Sequence, residues 1–160
     1  MKNEKLFGGS GITHELFKYI TSNSPLGKTI LELGAGEVST RYLSEKYVLF
    51  SVEDNHKFIG AYKSTYIYAP IDLSTNWYSL KSLAGIPQNY DCILVDGPAG
   101  EGNRQGFVTN VNLFRDDCPI IIDDTWREGE RSLIISLGEK TGRQFTLFES
   151  FGILHSRVSK

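Results

Sequence analysis

The residues of this chain with the clearest chemistry are five acids and two glycines in or just after apolar runs: Glu32, Gly34, Gly36, Glu53, Asp96, Asp123 and Asp124. Glu32, Gly34 and Gly36 stand in Ile30-Leu31-Glu32-Leu33-Gly34-Ala35-Gly36, followed by Glu37-Val38-Ser39-Thr40. That run reads as a buried strand, a glycine turn and the start of a helix. Glycines there let the backbone approach a ligand where a Cβ would clash. The acid sets the ligand's charge. A dinucleotide loop offers amides and a helix N-terminus to a pyrophosphate, and a carboxylate beside it repels that ligand. Glu32 suits a ligand that carries a cation at this point. The competing reading is an ordinary strand–turn–helix corner.

Glu53 ends the next apolar run, seventeen positions after Gly36. An acid about twenty residues past a glycine loop is where a nucleoside ribose is held by its hydroxyls. Otherwise Glu53 belongs to a surface cluster, Glu53-Asp54-Asn55. Asp96 follows Cys92-Ile93-Leu94-Val95, and Asp123 and Asp124 follow Ile120-Ile121-Ile122. Neighbouring parallel strands lie about 4.8 Å apart, so carboxylates at their ends can converge. Such acids repel one another unless protons or a cation compensate. Mg²⁺ or another hard divalent cation would do so. It would also acidify a substrate hydroxyl and hold it in place. The alternative is turn chemistry at Asp96-Gly97 and an N-cap for a helix starting near Thr125.

Arg104, in Gly102-Asn103-Arg104-Gln105-Gly106, and Arg127 flank this acidic edge. Arg127 and Arg131 are four apart and share a helix face. They either pair with Glu128, Glu130 or other surface acids, or form a fork for a substrate carboxylate or phosphate. His14, His56 and His155 are isolated and read as structural.

Alternating helical and extended patterns must position these groups. Ile12, Leu16, Phe17 and Ile20 predict a first helix, ended at Ser24-Pro25-Leu26-Gly27. Strands are expected at 29–33, 47–52, 65–69, 92–95 and 119–122. Helices are expected around Val38–Leu43, Phe58–Tyr62, Phe107–Phe114 and Leu133–Leu137. A final strand pair, 145–148 and 153–158, is too close for a crossover helix and must be antiparallel. Five apolar strands joined by helices imply a parallel sheet covered on both faces. The stretches 70–87 and 97–103 are expected to be irregular and to lie where open α/β sheets bind ligands.

Composition narrows the partners. The 160 residues, 40% hydrophobic and 22% charged, suit one domain over 1–160 with a short helical segment at 1–27. A net charge of −2 with no basic run makes nucleic acid an unlikely partner. No apolar run reaches the ~20 residues of a membrane helix. Met1 to Ser10 has no signal-like apolar core, so the expected location is cytoplasmic. Cys92 and Cys118 read as reduced core residues. A homodimer is admitted, though no motif demands one.

The Glu32-to-Gly36 run closely resembles the first motif of class I methyltransferases that use S-adenosylmethionine (SAM), whose amino-acid end carries an ammonium. The resemblance continues in Ser39-Thr40-Arg41, Ser51-Val52-Glu53, Val95-Asp96-Gly97-Pro98 with Arg104, and Ile122-Asp123-Asp124-Thr125 with Arg127, Glu130 and Arg131. In these the chain resembles a group of bacterial methyltransferases. More distantly it is similar to plant glucuronoxylan methyltransferases, which methylate a glucuronic-acid hydroxyl.

The resemblance implies a Rossmann-like α/β sandwich with a mostly parallel seven-stranded sheet and a C-terminal antiparallel hairpin. It implies SAM as cofactor, held by Glu32, Gly34, Gly36, Thr40, Glu53, Asp54, Asp72, Leu73 and Asp96. In that pattern Asp72 accepts from the adenine amino group and the Leu73 N–H donates to the ring. Asp72 reads equally well as a turn or cap residue. Trp77 and Tyr78 either pack or flank adenine or a sugar. The acidic edge is similar to that of metal-dependent O-methyltransferases. This implies a base role for Asp96, metal-ligand roles for Asp96, Asp123 and Asp124, and substrate roles for Arg104 and Arg127. The implied reaction is O-methylation of a small hydroxyl compound, sugar- or uronate-like. N-methylation, and a non-catalytic module that only holds SAM or S-adenosylhomocysteine (SAH), are the alternatives. A nicotinamide cofactor is disfavoured, because the loop lacks the third glycine of that fingerprint.

Overall fold

The computed structural model describes residues 11–22, 26–100 and 103–157. The first ten residues, the break at Ser24-Pro25, Gly102 and Val158 lie outside the described residues, and the last strand, expected at 153–158, is found at Phe151–Leu154.

Apolar, β-branched runs form the strands. These are β1 (Thr29–Leu33), β2 (Val48–Glu53), β3 (Thr65–Tyr68), β4 (Ile71–Asp72), β5 (Trp77–Tyr78), β6 (Cys92–Val95), β7 (Ile120–Asp123), β8 (Phe145–Leu147) and β9 (Phe151–Leu154). Seven of them make one sheet in the order β3-β2-β1-β6-β7-β9-β8. The first five run parallel, β9 runs against them, and β8, antiparallel to β9, runs with them again. β4 and β5 pair separately as a short antiparallel hairpin.

Side chains alternate across a strand, so each central strand feeds two cores. Leu31, Leu33, Ile93, Val95, Ile120 and Ile122 face one side, with Phe107, Leu133 and Leu137. Ile30, Leu49, Cys92, Leu94 and Ile121 face the other, with Leu16, Ile20 and Leu43. The covering helices are α1 (His14–Ser22) and α2 (Ser39–Leu43) on the second face, and α3 (Leu80–Leu83), α4 (Gly106–Thr109) and α5 (Glu128–Thr141) on the first. Truncating one such fully buried leucine to alanine costs about 2–5 kcal/mol. Cys92 and Cys118 are buried and free. No helix among the described residues is long and apolar enough to cross a membrane.

Four local expectations are corrected. The stretch Phe58–Tyr62 forms turns, not a helix; Gly60 sits at φ +77° and the Phe58 and Ala61 amides bond back three residues. The stretch 70–87 is not irregular, because it holds the β4–β5 hairpin and α3. The face Phe107–Phe114 is broken at Asn110 (φ −110°, ψ 18°), whose side-chain amide donates to the Gly106 carbonyl. The helix after β7 starts at Glu128, so neither Asp123 nor Asp124 caps it.

Candidate functional site

The sheet changes direction at β1. Its partner on one side is β2 and on the other β6, so a crevice opens beyond the carboxyl ends of β1 and β6. Gly34, at φ +91°, follows β1. A Cβ there would stand 2.7 Å from the Gly97 Cα, so the loops after β1 and β6 touch backbone to backbone. Only glycine permits both the conformation and the contact.

The amides of this turn are already spent. Gly34 N–H donates to the Val52 carbonyl (2.9 Å), Ala35 N–H to Glu53 Oε2 (2.7 Å) and Gly36 N–H to Thr40 Oγ1 (2.9 Å). A phosphate-binding turn needs such amides free. Beneath the turn, Glu32 Oε2 accepts from the hydroxyls of Thr40 (2.8 Å) and Ser51 (2.7 Å). Glu32 is fully buried, and burial pushes its carboxyl up to about 7. Its Oε1 has no hydrogen-bond partner among the described residues.

Glu53 ends β2 and lines the crevice. Its two oxygens each accept one amide, from Ala35 and from Asn55 (2.7 Å each). Each keeps a lone pair for a further donor. Burial raises its pKa against those two bonds. The cavity measures about 620 Å³, and its walls include Gly34, Gly36, Arg41, Glu53, Asp54, Phe58, Tyr78, Asp96 and Gly97. Tyr78 is fully buried, and its hydroxyl has no partner among the described residues. Gly97 fits beneath it, because a Cβ there would lie 2.5 Å from that hydroxyl.

Asp96 joins this cavity to the acidic edge. One carboxylate oxygen each from Asp96, Asp123 and Asp124 lie within 4.8 Å of one another. The guanidinium of Arg104, only 4% exposed, reaches into this group. Its Nη2 donates to the Asp96 carbonyl (2.9 Å) and lies 3.4 Å from Asp96 Oδ1 and 3.2 Å from Asp124 Oδ2. Its Nη1 donates to the Asp123 carbonyl (3.1 Å). Buried Glu130 stands 4.0 Å from its Nε. One buried arginine therefore faces four carboxylates. Burial, reinforced by Asp123, pushes Asp96 well above the ordinary aspartate range, and burial with Asp124 pushes Asp123 up to about 6. Asp123 Oδ1 has no partner among the described residues.

The structure thus brings Gly34, Gly36, Glu53, Asp54 and Asp96 to one cavity. Glu32 and Thr40 lie buried behind the turn and are not part of its wall. Asp72 and Leu73 are elsewhere. Asp72 accepts from the Ser74 amide and hydroxyl (2.9 and 2.7 Å), as a turn residue does, and Leu73 is 88% exposed. Trp77 is buried against Phe107 and Tyr78 rather than presented on a loop. Arg104 is committed to the acids rather than open to a substrate. Arg127 pairs with Asp124 (3.1 Å), not with Glu128 or Glu130. Phe58 went unrecognised as a wall residue because its spacing with Ile59 and Tyr62 mimics a helix face.

Comparison with solved structures decides the fold. Cofactor-bound Rv0187 from MTB superposes with a TM-score of 0.68 at 14% identity, over 94% of this chain and 84% of that one. The O-methyltransferase from Bacillus cereus in complex with SAH gives 0.61 at 16% identity, again over 94% and 84%. The fold is that of the class I methyltransferases. MycE methyltransferase from the mycinamycin biosynthetic pathway, in complex with Mg and SAH, shares this fold with a TM-score of 0.62 at 12% identity. The chain spans 94% of its own length in that match and about half (51%) of MycE. No protein-family model and no curated protein matches the sequence. Within the methyltransferase fold, the cavity described above lies at the strand ends where the sheet reverses.

Proposed function

We propose that this chain binds SAM in the cavity after β1 and transfers its methyl group to an oxygen of a small hydroxyl compound of the sugar or uronate kind. The observation that carries the reading is the convergence of Glu53 and Asp96 on one cavity whose glycine-turn amides are already spent. Glu53 offers free lone pairs to two ribose hydroxyls, and the Gly34, Ala35 and Gly36 amides are taken up within the protein. The volume of about 620 Å³ suits a nucleoside with an amino-acid tail, within the range of about 300–1,000 Å³ for small-molecule sites. The unpartnered Tyr78 hydroxyl is a donor for it.

SAM supplies a methyl group on a sulfonium that is already a strong leaving group. The protein's task is alignment of acceptor oxygen, methyl and sulfur, worth on the order of 7–11 kcal/mol. Asp96 is the group in the cavity placed to take the acceptor proton. The three clustered aspartates fit a hard divalent cation as a donor set, with Asp123 Oδ1 still unpartnered. Such an ion would polarise the acceptor hydroxyl and complete the neutralisation that Arg104 begins.

The test is SAH release from SAM over a panel of hydroxyl and amine acceptors, with wild type and Asp96→Asn. Release with a hydroxyl acceptor, lost in Asp96→Asn, supports the reading. Release only with amines, or none with any acceptor, contradicts it.

A further inference from the structure

Asp124 organises a second feature beyond the cavity. It is a non-glycine residue at φ +61°, a conformation that L residues seldom adopt. Its Oδ1 accepts from the Trp126 indole N–H (3.2 Å), and its Oδ2 holds Arg127 Nη1 (3.1 Å). The Arg127 guanidinium lies over the Trp126 ring, 5.0 Å from its centre. Yet Trp126 remains 64% exposed. An indole fastened by its N–H, backed by a guanidinium and left open to solvent is a rigid flat platform. Its carboxylate anchor, Asp124, has an oxygen within 4.8 Å of one from Asp96, which lines the cavity.

We infer that Trp126 and Arg127 form the acceptor shelf, and that the acceptor is a neutral sugar ring. This rests on the methyltransferase reading for the identity of the donor beside Asp96. The ring assignment follows from the platform: the open face of an indole stacks on the apolar C–H face of a pyranose. The neutral assignment follows from charge. Arg127 is already paired with Asp124, and Asp96, Asp123 and Glu130 stand behind that pair with Arg104 as their one buried cation. In the metal-free chain a substrate carboxylate would meet these acids, so the shelf then selects against a uronate.

The experiment follows the two indole N–H signals by NMR, with Trp126→Phe assigning the exposed one. The probes are methyl β-D-glucoside, methyl β-D-glucuronide, catechol and acyclic sorbitol, each titrated with and without saturating SAH. The glucoside should move the Trp126 signal, with millimolar affinity, and bind more tightly than the glucuronide and sorbitol. By calorimetry, Trp126→Ala should weaken the glucoside by up to about tenfold, the worth of a stacked ring, while Trp126→Phe retains most of it. SAH binding should be unchanged in both variants. A Trp126 signal that ignores the glucoside, or that responds as strongly to the glucuronide or sorbitol, overturns the inference. So does a response confined to catechol. Failure of SAH to bind wild type would overturn the donor reading instead, and the sugar titration without SAH would still decide the shelf.

Discussion

Thr40 donates its hydroxyl to Glu32 Oε2 over 2.8 Å, and the same Thr40 oxygen accepts the Gly36 amide at 2.9 Å. The acid of the glycine motif therefore holds the turn from beneath and acts on the cavity through its shape. This buried carboxylate has a cost that depends on pH. Its pKa rises from 4.5 to about 7 on folding, because burial penalises the charge. Between those values the folded chain holds a proton that the unfolded chain releases, so stability falls as pH rises through this window. Above pH 7 the loss is complete. Glu32→Gln keeps an acceptor for Thr40 and Ser51 without the charge. Thermal unfolding from about pH 5 to pH 8 should show the wild type losing stability relative to Glu32→Gln. A constant difference across that range would refute the raised pKa.

Gly36 and Gly34 should respond differently to a side chain. A Cβ at Gly36 meets only Ser39 Oγ, at 3.6 Å, so the fold has room and the new group stands at the cavity wall. Gly36→Val should abolish SAH binding with little change in unfolding temperature. Gly34→Ala faces a positive φ and the Gly97 backbone at 2.7 Å. It should cost about 1–3 kcal/mol in urea unfolding.

Arg104 is the internal counterion of the acidic edge. Arg104→Met leaves Asp96 and Asp124 without it and should cost about 3–5 kcal/mol in urea unfolding, the usual penalty for orphaning a buried charge. Arg104→Lys should recover only part of this. A single ammonium cannot donate to the Asp96 and Asp123 carbonyls as the planar fork does. Full recovery by lysine would show that charge alone matters there.

Metal binding at Asp96, Asp123 and Asp124 is measurable without an acceptor. Mn²⁺ titration followed by electron paramagnetic resonance should find one ion per chain, lost in Asp123→Asn, because hard-cation affinity follows ligand charge. SAH binding should survive that substitution. A wild type that binds no Mn²⁺ would leave Arg104 and Arg127 as the counterions of the cluster.

The strands were legible because apolar runs such as Ile30-Leu31 and Ile120-Ile121-Ile122 have one stable use, as central strands of a covered sheet. The glycine turn and Glu53 were legible because φ and charge restrict those positions sharply. Arg104 was not. Its partners come from the loops after β6 and β7, and nothing local distinguishes a buried arginine from a surface one. Asp72 was ambiguous for the opposite reason, since an aspartate after a strand serves a turn as well as a ligand, and in the fold its Oδ1 accepts from Ser74. Trp77 and Tyr78 sit in a stretch with little periodicity, so the short hairpin that buries them escaped notice.

Titration calorimetry with the purified chain tests the central claim most directly. SAM and SAH should bind one per chain with micromolar affinity, and NAD should give no comparable heat. Tight NAD binding, with no heat from SAM or SAH, would contradict the account.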